Sequence, residues 1–103
     1  AELTSLRDAA GREFLWQGAE AWPRQAPILF PIVGRLKDDT LRLDGARYPM
    51  GGHGFARDLR FAPAERSDVA CRFRARDDAA TRAVYPFPFQ LDATYAARGA
   101  TLD

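Results

Sequence analysis

The sequence predicts an all-β fold, an antiparallel sandwich or barrel. Three observations predict it. Residues Ser67–Arg76 and Phe87–Ala97 alternate apolar and polar side chains, the two-residue period of a half-buried strand. Asp44-Gly45 lies between Leu41-Arg-Leu43 and Tyr48, a two-residue hairpin signal that tolerates positive φ. No segment combines helical periodicity with capping residues, so strands joined by tight turns are the simplest reading.

Each element follows in chain order. Glu2–Arg7 is short and mixed, and Asp8-Ala-Ala-Gly11 reads as a turn. Arg12–Trp16 then returns as a hairpin partner with Phe14 and Trp16 on one face. Gln17–Gln25 holds Gly18 and Pro23 and reads as a loop, with Ala19–Trp22 long enough for one helical turn. Ala26–Gly34 is apolar at nearly every position, but Pro27 and Pro31 forbid a helix interior or a regular central ladder. It is expected to be buried extended chain. Leu41–Tyr48 forms the hairpin, Pro49–Arg57 a glycine-rich loop and Asp58–Ala62 a short strand. In Ser67–Arg76, Val69, Cys71, Phe73 and Ala75 face inward while Arg72, Arg74 and Arg76 face solvent. Asp77–Arg82 reads as a turn. In Phe87–Ala97, Phe87, Phe89, Leu91, Ala93 and Tyr95 face inward, and Arg98-Gly99 turns into Ala100–Asp103. A strand that starts at the last residues leaves an open sheet edge, so self-association through strand edges is expected of the isolated chain.

Composition narrows the function. At 103 residues this is one domain at most, and 47% hydrophobic with 12% aromatic residues argues against disorder. A net charge of +1 gives no reason to expect nucleic acid or an anionic membrane as partner. Every basic residue except Lys37 is arginine, a bias better suited to genomic base composition than to nucleic-acid binding. The row Arg72, Arg74, Arg76 lacks interleaved exposed aromatics and reads as a solvated face. The longest apolar run is too short to span a bilayer. One cysteine, Cys71, excludes an internal disulfide framework and suits a small inward-facing hydrophobe, which favours a cytoplasmic setting. One histidine and one cysteine cannot build the usual zinc ligand set, and no phosphate-cradling loop or nucleophile elbow is present.

The chemistry that remains gathers in Phe30–Asp58. His53, the only histidine, lies in Gly51-Gly52-His53-Gly54-Phe55, where glycines let backbone approach a ligand closely. A structural hydrogen-bonding role is the alternative. Arg35 follows Gly34 at the end of the apolar run and is poised to donate several fixed hydrogen bonds. An ion pair with Asp38 or Asp39 is its alternative. Trp16 and Trp22 suit either core or rim packing or stacking on the apolar face of a sugar ring. Tyr85-Pro-Phe-Pro-Phe89 reads as a strand entry whose aromatics fill the core.

The segments Ala1–Leu6, Glu13–Trp16, FPIVGR ending at Arg35, HGFARD from His53 to Asp58 and YPFPFQL from Tyr85 to Leu91 occur in an order that resembles the aldose 1-epimerase (galactose mutarotase-like) family, in its LacX-type bacterial branch. The resemblance implies a large antiparallel β-sandwich of which residues 1–103 form the N-terminal portion, with about one strand before Ala1 missing. It implies interconversion of the α and β anomers of a free hexose, without a cofactor, by general acid–base catalysis. By position, Arg35 matches a substrate-binding arginine and His53 a histidine that contacts sugar oxygens. The histidine acid and glutamate base implied by the family are expected beyond Asp103. No catalytic residue is therefore assigned here, and the isolated chain is expected to be inactive. A non-catalytic carbohydrate-binding module of the same fold, or an inactive truncated domain, are the alternatives.

Overall fold

A computed structural model describes residues 1–103. Its regular elements are β1 (Thr40–Leu43), β2 (Ala46–Pro49), β3 (Ala62–Arg66), β4 (Ala70–Arg76), α1 (Ala79–Val84), β5 (Gln90–Arg98) and β6 (Thr101–Leu102), with short 3-10 turns at Lys37–Asp39 and Ala56–Asp58. All strand pairing is antiparallel: β1 with β2 in one ribbon, and β3-β4-β5-β6 in a four-stranded sheet.

The β1–β2 ribbon closes through Asp44 (φ 47) and Gly45 (φ 81), with Leu43 opposite Ala46, as the Asp-Gly signal predicts. The alternation in β4 and β5 also resolves into two faces. On one, Arg72 stands opposite Thr94 and Arg74 opposite Asp92; on the other, Cys71 meets Tyr95, Phe73 meets Ala93 and Ala75 meets Leu91. Arg74 and Asp92 form a two-pronged pair, both bonds 2.7 Å. That pair holds the Asp92 carboxyl below its ordinary range.

Several expectations are corrected. The predicted strand at Asp58–Ala62 is instead a 3-10 turn followed by β3 at Ala62–Arg66. β3 is exposed along its length, so no apolar alternation marks it. It carries Pro63 and a register shift between Pro63 and Glu65, features that blunt an outer edge. Ala19–Trp22 makes an isolated antiparallel bridge, not a helical turn. Arg12–Trp16 does return along the first segment, but through a single antiparallel bridge, Arg7 with Glu13, and the Phe14 amide donating to the Leu6 carbonyl at 2.9 Å, not a regular hairpin. The turn expected at Asp77–Arg82 is instead the start of helix α1, which runs from Ala79 to Val84. Its start is a capping box: the Asp78 carboxylate accepts from the Thr81 amide at 2.8 Å, and Thr81 Oγ1 accepts from the Asp78 amide at 2.8 Å. Asp78→Ala removes one half of that box and is expected to lower stability by about 1 kcal/mol, measured as a shift in urea midpoint.

Only five of the 103 residues are buried, among them Met50, Ala56 and Ala75. The radius of gyration is 16.4 Å and the extents are 55 × 33 × 18 Å. A compact domain of this length has a radius near about 13 Å, so this chain is a thin slab. The main packed nucleus is aromatic. Phe30 lies 5.1 Å from Phe89, 5.8 Å from Tyr85 and 6.0 Å from Phe55 between ring centroids. Tyr85 and Phe89 thus fill the core as expected. Phe87 (40% exposed) and Val69 (61%) do not face a covered interior. Their pattern asks for burial, but a slab has nothing on that side to supply it. No helix is long and apolar enough to cross a membrane.

The N-terminal segment is organised by two carboxylates. Asp8 Oδ1 accepts from the Ala10 and Arg12 amides and shapes the turn that Gly11 (φ 80) completes. Glu13 accepts from Ser5 Oγ at 2.6 Å, the Leu6 amide at 2.8 Å, the Leu15 amide at 3.0 Å and Arg7 Nε at 3.1 Å. The Ser5 hydroxyl, and then those amides, hold the Glu13 carboxyl down at about 2, against an ordinary 4.5. A depressed folded-state value stabilises the fold above the unfolded value. The contribution of Glu13 is therefore fully present above pH 4.5 and is lost as pH falls from 4.5 towards about 2. In Glu13→Gln, acid titration followed by tryptophan fluorescence is expected to show a shallower loss of stability in that window. An unchanged profile would count against the Glu13 hub.

Candidate functional site

The site is built where the apolar Ala26–Gly34 segment runs beside the glycine-rich loop. The Phe30–Pro31 peptide is cis. The Phe30 carbonyl accepts from the Phe55 amide at 2.9 Å and the Ala56 amide at 3.2 Å, and Phe30 bridges Gly54 in parallel. This is the irregular but satisfied hydrogen bonding that two prolines leave open to a buried segment.

Four residues after Phe30, Gly34 (φ 84) reverses the chain and meets His53 through two hydrogen bonds. The His53 amide donates to the Gly34 carbonyl at 2.6 Å, and the Gly34 amide donates to His53 Nδ1 at 3.0 Å. Because Nδ1 accepts, the neutral ring carries its proton on Nε2, and Nε2 has no partner in the chain. His53 itself has φ 65, a left-handed conformation unusual for a residue with a Cβ. A non-glycine residue held there is an outlier of the kind that gathers at functional sites.

Arg35 follows Gly34 directly, so the structure brings the backbone of both sequence-predicted residues to one junction. The Arg35 side chain is 73% exposed and donates from Nε to Asp39 Oδ1 at 2.6 Å, leaving its terminal nitrogens unpartnered. The expected ion pair with an aspartate thus exists, and being exposed it contributes at most about 1 kcal/mol. Asp39 sits in the 3-10 turn at the foot of β1, and its carbonyl accepts from the Met50 amide at 2.8 Å. The ribbon, the Arg35 turn and the His53 loop are therefore tied to one another.

Neither Arg35 nor His53 lines any of the four best-formed surface hollows. Two of those run along Arg66–Cys71, one beside Ala1–Glu2 and one beside Arg60, Arg74 and Arg76. Arg35 is exposed and His53 half-buried. No group of three metal-ligating side chains comes together. Trp16 and Trp22 are each about half exposed, and Trp16 Nε1 donates to the Trp22 carbonyl at 2.9 Å, the rim arrangement anticipated for them.

Two contributors were not singled out from sequence. Gly34 supplies both backbone partners of His53, and its only sequence signal is its place immediately before Arg35. Arg57 lies in the HGFARD motif and donates from Nη2 to the Gly52 carbonyl at 3.0 Å, while Arg24 bonds Asp58 at 2.6 Å.

Comparison with known proteins agrees with this arrangement. The family model for aldose 1-epimerase matches residues 1–102. The plasmid-encoded protein LacX of Lactococcus lactis subsp. lactis is 34% identical over 107 aligned positions, covering 98% of this chain and 36% of that protein. The crystal structure of a galactose mutarotase related enzyme from Lactobacillus acidophilus superposes with a TM-score of 0.93 at 40% identity, covering 96% of this chain and 34% of the other. A galactose mutarotase-like protein from Lactobacillus casei ATCC 334 also gives 0.93, at 41% identity, with 98% and 35% covered. The chain thus spans about a third of the length of these relatives. Its fold is that of part of a galactose mutarotase-like β-sandwich, and the slab shape and exposed apolar side chains accord with such a part. The chain belongs to the aldose 1-epimerase family.

Proposed function

We propose that residues 1–103 are the N-terminal portion of a mutarotase domain and supply the sugar-orienting part of its site. The observation that carries this reading is His53, held with Nε2–H free in a left-handed conformation against Gly34, the residue that Arg35 follows in the chain. Sugar hydroxyl and ring oxygens accept hydrogen bonds. The unpartnered nitrogens of Arg35 and the Nε2–H of His53 are donors only; His53 is held by its bonds to the Gly34 backbone and Arg35 by its bond to the Asp39 carboxylate before a ligand arrives.

The reaction proposed is anomer interconversion. An acid protonates the ring oxygen as its bond to C1 breaks, while a base takes the proton of the anomeric hydroxyl. The aldehyde forms, the C1–C2 bond rotates and the ring closes on the other face, with each proton returned. His53 is the chain's single histidine and is committed through Nδ1 to Gly34. It therefore serves here as an orienting donor, and the acid and base are contributed by residues outside 1–103.

Polarimetry tests this in a polypeptide of the relatives' full length that carries these residues. Freshly dissolved α-glucose or α-galactose is expected to reach its equilibrium rotation faster than in buffer, and Arg35→Ala is expected to slow it by about tenfold or more, the worth of a lost charged hydrogen bond. Mutarotation no faster than in buffer would reject the enzymatic reading.

A further inference from the structure

We propose that Arg57 is a positioning residue for His53, selecting the orientation of the peptide that joins Gly52 to His53. The inference rests on reading His53 as a sugar-binding group. Residues Gly51–Gly54 form a tight turn closed by the Gly54 amide on the Gly51 carbonyl at 3.1 Å. His53 occupies its third position with φ 65, while Gly52 has no positive φ, the pattern of a type II turn. That position ordinarily belongs to glycine. A histidine there favours the type I alternative, in which the central peptide turns over and φ becomes negative.

The central peptide is held at both ends against that flip. Its N–H, on His53, donates to the Gly34 carbonyl at 2.6 Å, and its C=O, on Gly52, accepts from Arg57 Nη2 at 3.0 Å. A flip reverses both groups and breaks both bonds. It also swings the imidazole off the Gly34 amide, to which Nδ1 is bonded at 3.0 Å.

The arginine has no comparable commitment elsewhere. Its Nε is buried without a hydrogen-bond partner, and its nearest carboxylate, Asp58, stands 3.8 Å away and bonds Arg24 at 2.6 Å instead. Its side chain is 24% exposed with Nε buried, so most of it is packed in place. Aldose ligands therefore meet an imidazole already aimed, without the affinity penalty of a minor competent state.

The test uses solution NMR on a polypeptide of the relatives' full length that carries these residues, with galactose as probe. Arg57→Ala is expected to shift His53 towards negative φ, read from its amide–Hα couplings and intraresidue NOE. The Gly34 amide resonance should move as its bond to Nδ1 is lost, and the imidazole nitrogens should show a mixture of tautomers. Galactose affinity is expected to fall about tenfold if the competent turn drops to about a tenth of the population. Arg57→Lys keeps a donor and is expected to restore the His53 signals, whereas Asp58→Asn, which weakens the Arg24 bond and the long Arg57 ion pair but leaves the Arg57 donor to Gly52, should leave them unchanged. A folded Arg57→Ala chain with wild-type His53 and Gly34 signals overturns the proposal. If Arg57→Ala does not fold, Arg57→Met, with a similar apolar stem and no donor, decides on the same signals. The turn response in Arg57→Ala, together with no galactose binding by the wild type, would reject the sugar reading and leave the positioning role standing.

Discussion

Gly54→Ala is expected to destabilise the chain by about 3–5 kcal/mol, the range of severe backbone and packing lesions. A Cβ at this position would lie 2.2 Å from the Phe30 oxygen, 2.5 Å from its carbon and 2.7 Å from Pro31 Cδ. None of those atoms is the end of a flexible side chain. The Phe30 carbonyl is already bonded to the Phe55 and Ala56 amides, and the Phe30 ring is packed against Phe89, Tyr85 and Phe55. Relief therefore requires parting two segments whose hydrogen bonds and aromatic contacts are shared. Gly54 also has φ +70, which adds strain for any residue with a Cβ. Small domains are stable by only about 5–15 kcal/mol, so much of the margin goes in one methyl group. Gly51 is the control: nothing lies within 4 Å of its added Cβ and its φ is not positive, so Gly51→Ala should change stability by less than about 0.5 kcal/mol. Urea midpoints from Trp16 and Trp22 fluorescence compare the two. A Gly54→Ala midpoint close to wild type would show that the loop and the Phe30 segment separate easily.

The same junction shows how far the sequence could be read. Alternation located β4 and β5 because each presents a polar and an apolar face, and Asp44-Gly45 located the β1–β2 turn because its chemistry is local. β3 escaped because an exposed edge strand carrying Pro63 has no apolar face to alternate. Helix α1 escaped because six residues are too few to display a 3.6-residue period, although the Asp78–Thr81 pair was there as a cap signal. Val69 and Phe87 were placed inward because patterning reports which side chains favour burial, not whether a covering layer is present. Arg35 and His53 stood out by residue type and glycine context. Their connection through Gly34 did not, since it joins residues far apart in sequence and depends on positive φ at both Gly34 and His53. Neither residue lines the hollows along Arg66–Cys71, beside Ala1–Glu2 or beside Arg60, Arg74 and Arg76.

His53→Gly is expected to separate stability from ligand binding. At φ 65 a residue with a Cβ costs about 1–2 kcal/mol relative to glycine, so the substitution relieves strain. It also removes the bond from the Gly34 amide to Nδ1, worth about 1 kcal/mol. The two nearly cancel, and the variant should melt within about 1 kcal/mol of wild type. His53→Ala loses the same bond and keeps the strain, so it should be less stable than His53→Gly by about 1 kcal/mol. Both lose the Nε2–H donor, and galactose affinity should fall by about tenfold to a hundredfold, the equivalent of one well-placed hydrogen bond. Such a pattern, in which the functional residue is tolerated by the fold at a cost, is the signature of a side chain retained for binding. Equal stability of the glycine and alanine variants would mean that the turn relaxes and stores no strain. Undiminished galactose affinity in both would remove His53 from the site whatever their stability.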